Sequence, residues 1–168
     1  MAFVFFHGSF CTPRDAWLPW LKKQLKQLGH DVISPQFPVD LWKDVGELDA
    51  SEYDPKQNLC AWYQTFEEIK DSILNKSDLI FVGHSLGPIF ILHLVEKYDI
   101  QVTSAYFVAP FLDLNDESTI VEKANASFYK TNFDFSLLRR FIPSSTVFYS
   151  DDDPYVGEGK SLDFCAKA

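Results

Sequence analysis

The chain has few of the features that mark secreted, metal-binding or membrane proteins. Its three cysteines, Cys11, Cys60 and Cys165, are an odd number and form no C-x-x-C pair. They predict neither a disulfide framework nor a zinc site, and they suit a reducing compartment. The N-terminal MAFVFFHG lacks the basic segment and long apolar run of a signal peptide. We therefore expect a cytoplasmic protein.

Positive charge and long apolar runs are also scarce. The 168 residues carry 15 Lys and Arg against 24 Asp and Glu, for a net charge of −9. Such a surface repels nucleic acid and does not favour an anionic membrane. The longest apolar stretches, such as 79–82 and 89–95, are far shorter than the ~20 residues that span a bilayer. Neither nucleic acid nor membrane is an expected partner.

Cofactor signatures are missing as well. No G-x-G-x-x-G or P-loop pattern follows any predicted strand, which argues against a bound nucleotide cofactor. The acidic residues form no calcium-loop pattern, and no His/Cys cluster accompanies them. We expect no cofactor and no metal.

The sequence does contain alternating strand-like and helix-like segments. Short apolar runs, typical of strands buried in a parallel sheet, lie at 2–6, 31–34, 79–83, 104–109 and 145–150. Helical patterns start near Thr12–Asp15, where Pro19 blurs the boundary, at Asp54-Pro55, at Leu86 and at Gly159. This alternation predicts one α/β domain over 1–168, a three-layer sandwich with a mostly parallel, doubly wound sheet.

Two segments depart from that alternation. Residues 39–53 are acidic and show no clean period, so we expect a loop. The mixed, polar segment at about 112–141 predicts one or two short helices over the top of the sheet, a short cap-like excursion.

The stretch DLIFVGHSLGPIF, residues 78–90, carries the strongest chemical signal. Its G-x-S-x-G pattern lies between a predicted strand and an apolar helix, where Gly83 and Gly87 permit close approach. Ser85 is the candidate nucleophile, and the Leu86 N–H at the helix N-terminus is a candidate oxyanion donor. A glycine-bounded structural turn that happens to hold Ser85 is the alternative.

The loop after the first strand, His7-Gly8-Ser9-Phe10, is expected to supply a second oxyanion donor. We predict the Ser9 N–H, with Phe10 as the neighbour that serves instead, whereas a plain tight turn is the alternative. His7 is expected to shape the loop, and His84 to lie at the pocket or shape its turn.

Three consecutive acids end the last predicted strand, in FYSDDDPYV. An acid there lies on the rim where α/β sheets bind ligands, and a catalytic triad needs a carboxylate to orient its imidazole. Asp153 is the predicted triad acid, with Asp151 and Asp152 exposed or capping. A solvated acidic turn is the alternative.

The motifs HGSF, PWLKKQL, LGHDV, GHSLG and SDDDPYV, in this order, resemble the small serine hydrolases of the retinoblastoma-binding protein nine type. The resemblance spans essentially the whole chain. It implies an α/β-hydrolase fold with a minimal cap, Ser85 as nucleophile, Asp153 as triad acid and esterase-like activity on small acyl substrates. We expect a monomer or weak homo-oligomer. No L-x-C-x-E motif is present, so a pocket-protein partner is not implied.

The base of the triad is missing from its expected place. In the family it is a histidine in a Gly-His-Phe-like loop, roughly 25 to 30 residues after the acid. Here the sequence ends 15 residues after Asp153, and none of its four histidines, His7, His30, His84 and His93, is a credible base. We therefore expect these 168 residues by themselves to be inactive or weakly active.

Two interpretations follow from the missing base. In the first, the last strand and helix of the fold and the triad histidine lie beyond Ala168. In the second, the chain is an inactive, shortened relative that acts as a protein- or ligand-binding module. The unfinished helix from Gly159 favours the first, since it leaves a sheet edge uncovered.

Overall fold

A computed structural model describes residues 1–114 and 120–168. Five parallel strands form one sheet in the order β2-β1-β3-β4-β5. The strands are β1 (Ala2–Phe6), β2 (Asp31–Ile33), β3 (Leu79–His84), β4 (Ser104–Val108) and β5 (Ser145–Phe148). The helices are α1 (Leu18–Gln27), α2 (Trp42–Val45), α3 (Leu59–Leu74), α4 (Leu86–Tyr98), α5 (Ile120–Asn125), α6 (Phe135–Phe141) and α7 (Glu158–Lys167).

The strand residues divide between two apolar layers. In β1, Val4 and Phe6 belong to the larger core, whereas Phe3 and Phe5 pack on the opposite face with Leu18 of α1. Because successive side chains point to opposite faces of a sheet, the continuous apolar run is what two covered faces require. The predicted three-layer α/β sandwich with a parallel, doubly wound sheet is confirmed.

Two helices anchor the larger core. In α4, every residue from Leu86 to Val95 is buried, which explains why this helix is apolar on all sides. In α3, Trp62, Phe66 and Ile73 are fully buried, as the predicted stripe requires. Helix α4 holds the residues that follow β3 in place, and α3 packs against those that follow β1.

The predicted start of α3 was wrong, whereas α1 begins close to Trp20, the later start that Pro19 left open. Residues 12–15 form a turn, in which the Thr12 N–H donates to Asp15 Oδ2 and the Arg14 N–H to Thr12 Oγ1, and α1 begins only at Leu18. α3 begins at Leu59 instead of near Asp54, and the Asn58 side chain accepts from the Ala61 N–H as its cap. Before α1, side chains bind main-chain N–H groups of a turn outside the helix. At α3, the Asn58 side chain binds an N–H group of the helix's own first turn.

The remaining differences are small. The segment expected to be a loop over 39–53 contains the short helix α2. The excursion at about 112–141 holds α5, a 3₁₀ turn at Ala126–Phe128 and α6, while its residues 115–119 lie outside the described part. Among the described residues, no helix is long and apolar enough to cross a membrane.

Candidate active site

The carboxyl ends of four strands meet at one edge of the sheet. Phe6 pairs with Gly83, His84 with Val108, and Val108 with Phe148, so these strands end at the same level. From β1 the chain continues to β2 on one side of the sheet, and from β3 it continues to β4 on the other side. The helices that follow these two strands, α1 and α4, accordingly cover opposite faces. Such a switch point is where open α/β sheets bind their ligands.

Ser85 occupies the turn between β3 and α4. Its backbone has φ 56° and ψ −104°, an unfavourable conformation for a residue with a side chain. The Ser85 N–H donates to the Val108 carbonyl at 2.8 Å, which ties the turn to β4. The Ser85 side chain makes no cap hydrogen bond to α4. It lines a cavity instead.

Two glycines make this turn possible. A Cβ on Gly87 would lie 2.3 Å from the Phe6 carbonyl oxygen, so the start of α4 packs directly on the β1 backbone. A Cβ on Gly8 would lie 2.9 Å from Ser85 Cβ, so the loop after β1 passes against the serine. Larger residues at either position would separate the elements that meet at Ser85.

The cavity at this edge has a volume of about 440 Å³. Five residues predicted from the sequence for the site meet here: Ser9, Phe10, His84, Ser85 and Asp153. The other lining residues are Cys11, Trp42, Ala109, Phe111, Leu114, Val121, Asn125, Tyr155 and Val156. The wall is therefore mainly apolar, with a few polar groups close to Ser85.

The N–H groups near Ser85 differ in whether they are already bonded. The Leu86 N–H lies in the first turn of α4, where N–H groups have no acceptor within the helix. The Phe10 N–H donates to Gln57 Oε1 at 3.4 Å. The Ser9 N–H has no acceptor among the residues that the structure describes, whereas its hydroxyl donates to Asn125 Oδ1 at 2.5 Å.

His7 lies beneath this loop and is 1% exposed. Its Nδ1–H donates to the Gly8 carbonyl at 2.9 Å, and its Nε2 accepts from the Phe37 N–H at 3.0 Å. Burial lowers the pKa of His7 to about 4, since the charged ring would lose its hydration. The neutral ring joins two main-chain segments at neutral pH.

His84 precedes Ser85 but packs toward α1. Its ring meets Trp17 edge to face at a centroid distance of 5.6 Å, and its buried Nδ1 has no hydrogen-bond partner within residues 1–114 and 120–168. Burial lowers the pKa of His84, and the negative charge of Asp153 partly opposes that shift. The ring is neutral at neutral pH for the same reason as that of His7.

No histidine is bonded to Ser85, and all four lie in the described part of the chain. His30 stacks near Phe3, and His93 donates from Nε2 to the Phe128 carbonyl at 2.7 Å. Neither ring lines the cavity. The described residues thus hold a serine and an acid at one cavity without an imidazole between them.

Asp153 is fixed by the backbone that follows it. Its Oδ1 accepts from the Tyr155 and Val156 N–H groups, both at 2.9 Å. These bonds hold the carboxylate at the cavity after β5, while Asp151 and Asp152 are exposed. An oriented carboxylate at this rim can stabilise a positively charged imidazole.

The sequence identified the cavity wall only in part. Phe10 and Phe111 line it, whereas Trp17 lies against His84 and Phe128 is fully buried against Trp62. Trp42 and Asn125 were missed. Both lie in segments without a clean period, and no local pattern marks them, because only the folded chain brings them to Ser85.

The fold is found in solved structures of distant sequence. The ydeN gene product from B. subtilis has 21% identity and a TM-score of 0.78, over 99% of this chain and 80% of that chain. Mouse alpha/beta hydrolase domain-containing protein 10 has 16% identity and a TM-score of 0.63, over 99% and 75%. Est1E from Butyrivibrio proteoclasticus, solved with ferulic acid, has 12% identity and a TM-score of 0.66, over 99% and 75%. These similarities establish the α/β-hydrolase fold.

Sequence comparisons identify the family. A search of curated proteins gave no significant match. A profile of the serine hydrolase family matches residues 12–167. Since this match covers nearly the whole chain, including the Ser85 turn and the segment with Asp153, the protein belongs to the serine hydrolase family.

Proposed function

We propose that the protein is a carboxylesterase-like hydrolase that cleaves small acyl esters through an acyl-enzyme on Ser85. The observation that carries the proposal is the backbone of Ser85, which is held at φ 56° between β3 and α4 so that the residue faces a cavity. A strained strand-to-helix turn of this kind exposes a nucleophilic serine in α/β-hydrolases. Within the family, we place the protein with the small hydrolases of the retinoblastoma-binding protein nine type, in the cytoplasm.

The reaction has two acyl-transfer steps. An imidazole base, which none of the four histidines supplies to Ser85, removes the Ser85 proton, and Oγ attacks the ester carbonyl carbon. The Leu86 and Ser9 N–H groups donate hydrogen bonds to the oxyanion, and the alcohol leaves with the proton. Water then attacks the acyl-enzyme and releases the carboxylic acid. Asp153 stabilises the protonated base through both steps.

The cavity wall favours neutral, apolar acyl groups. Phe10, Trp42, Phe111, Leu114 and Val121 supply apolar surface, and no Lys or Arg among the described residues lines the cavity. The carboxylate of Asp153 and the net charge of −9 repel anionic substrates. We therefore expect esters with uncharged aliphatic or aromatic acyl groups to react faster than esters with a free carboxylate on the acyl chain.

Replacing the nucleophile tests the proposal. We expect a fluorophosphonate probe to label Ser85 and Ser85→Ala to abolish labelling, together with the slow turnover of a short p-nitrophenyl ester that a serine without its imidazole supports. Intact-mass spectrometry and the release of p-nitrophenol measure these effects. Ser72→Ala, an exposed serine of α3, is the control and should react as the wild type does. Equal turnover by Ser85→Ala and wild type would contradict the assignment.

A second candidate is a binding module that uses the same cavity. It is favoured by the lack of a hydrogen bond between Ser85 and any of the four histidines. In that case a neutral ester binds to wild type and Ser85→Ala with similar affinity, and neither protein turns it over. Binding measured by calorimetry beside the labelling assay separates the two functions.

A further inference from the structure

We infer that Gln57 and Asn125 are a positioning pair that sets the loop at Ser9-Phe10, so that the Ser9 N–H, and not the Phe10 N–H, receives the oxyanion. The inference rests on the proposed function, because an oxyanion forms only if Ser85 attacks an acyl carbon. Both residues lie outside the strand-end turns that carry the site, and neither touches the reacting atoms.

The two amide side chains form a continuous hydrogen-bonded chain to the loop. Asn125 Oδ1 accepts from the Ser9 hydroxyl at 2.5 Å and from Gln57 Nε2 at 2.7 Å. Gln57 Nε2 also contacts the Ala124 carbonyl at 3.3 Å, and Gln57 Oε1 accepts from the Phe10 N–H. The loop is therefore held at two successive residues.

The orientation of both amides follows from this arrangement. If the Asn125 amide were reversed, its NH₂ group would face the Gln57 NH₂ group, which also donates to the Ala124 carbonyl. If the Gln57 amide were reversed, its NH₂ group would face the Phe10 N–H. The observed orientation avoids both of these contacts between two donors.

Burial makes the pair stiff. Gln57 is 0% and Asn125 1% exposed, so water does not compete for their hydrogen bonds. An unsatisfied amide in such a place is strongly unfavourable, which couples the two side chains to the loop that they bind. The Ser9-Phe10 backbone thus has little freedom to move without breaking a buried bond.

The loop needs such support because Phe10 has φ 55°, a region that favours glycine. Strained residues persist only where their surroundings over-determine the conformation. Gln57 is itself fixed, since Asp40 Oδ2 accepts from the Tyr53 hydroxyl and the Lys56 N–H just before it. Asn125 ends α5, so the pair joins the loop to two other segments.

The choice of oxyanion donor follows. The Phe10 N–H is already directed at Gln57, whereas the Ser9 N–H has no acceptor among the described residues and lies beside Gly8, which packs on Ser85. A donor without a protein acceptor is available to a developing negative charge. The Leu86 N–H supplies the second bond.

Ser9→Ala tests the inference, because it removes the hydroxyl that binds Asn125 and keeps the Ser9 N–H. We expect kcat for a p-nitrophenyl ester to fall by about 10- to 100-fold with little change in KM, since a displaced donor weakens transition-state binding. The rate of labelling by the fluorophosphonate probe should fall by a similar factor. Asn125→Ala should act alike, and Ser9→Thr, which keeps a hydroxyl, should recover most of the loss.

The control is Gln101→Ala, which removes an amide that bonds the Val102 and Phe141 carbonyls at the opposite end of β4. It should leave both rates unchanged. Thermal unfolding of each variant, and amide exchange at Phe10, which should speed up in Gln57→Ala, report on the loop without requiring activity. If the wild type reacts and Ser9→Ala and Asn125→Ala react equally fast, the inference is overturned. If the wild type itself neither reacts nor is labelled, the proposed esterase function is overturned as well.

Discussion

Single residues at the cavity are held in conformations that their side chains disfavour. Phe10, Ser85 and Ala109 all have positive φ, between 49° and 56°, and all three line the cavity. Such strain accumulates where a site must present a group in one orientation. The glycine pattern around Ser85 signals its turn in the sequence. Nothing in the sequence around Phe10 or Ala109 signals theirs.

At the same scale, His7 predicts a pH dependence of stability. Its pKa is about 4 in the folded chain against an ordinary 6.5, so between these values the unfolded chain binds a proton that the folded chain does not. The free energy of unfolding should therefore fall as the pH drops from about 6.5 to about 4, with a contribution from His7 of up to about 1.4 kcal/mol per pH unit. Urea unfolding across this range measures it.

His7→Gln isolates that contribution from those of other titrating groups. A glutamine can still donate and accept, so we expect a less stable but folded protein whose stability changes less with pH than that of the wild type. The slopes of the two plots of unfolding free energy against pH should differ by an amount that approaches the uptake of one proton on unfolding. Parallel curves would show that His7 is protonated equally in the folded and unfolded chains.

At the scale of the elements, the sequence predicted the positions of the helices better than their first residues. The apolar residues of α3 and α4 recur because those faces are buried, so the sequence located both helices. The start of a helix depends on local competition for main-chain N–H groups. Before α1, for example, Thr12 and Asp15 bind such groups in a turn. α2 is only four residues long, too short to show a period.

The helix α7 provides a test of packing at this scale. Phe164 is fully buried and meets Phe107 of β4 edge to face at 5.1 Å, whereas Leu162 on the same helix is 44% exposed. We expect Phe164→Ala to lower the free energy of unfolding by about 3–5 kcal/mol. Leu162→Ala, the control, should change it by less than about 0.5 kcal/mol. Chemical denaturation distinguishes them, and similar losses in both would contradict the packing of α7.

For the whole molecule, we expect charge to control self-association. The net charge of −9 makes copies of the chain repel each other at low salt, while β5 is an edge strand with Phe148 exposed. We expect a monomer at low salt and weak self-association at about 0.5 M salt, where repulsion is screened. Sedimentation velocity at two salt concentrations measures this.

Phe148→Lys should reduce the association at high salt, because it adds a charge to the strand edge. Leu28→Lys makes the same kind of change on the exposed end of α1 and should not. Association that weakens as salt rises would mean that ion pairs, and not the apolar edge, hold the copies together.

The sequence by itself determined the class of fold and the identity of the candidate nucleophile. Apolar runs that suit two covered faces predicted the parallel sheet, and G-x-S-x-G between a strand and an apolar helix predicted the turn at Ser85, because both depend on neighbouring residues. The cavity was decided only by the tertiary structure. Trp42, Asn125 and Asp153 lie far apart in the chain and meet at Ser85 because β1, β3, β4 and β5 end at one edge.

The same reason separates the two predicted oxyanion donors. In the sequence Ser9 and Phe10 are adjacent and both follow β1, so the prediction of Ser9 left Phe10 open as the alternative. The fold brings Gln57 against Phe10 and Asn125 against Ser9, from positions 47 and 116 residues away along the chain. A long-range hydrogen bond leaves no local pattern, so only the folded chain shows that the Phe10 N–H is bonded to Gln57, while the Ser9 N–H has no acceptor among the described residues.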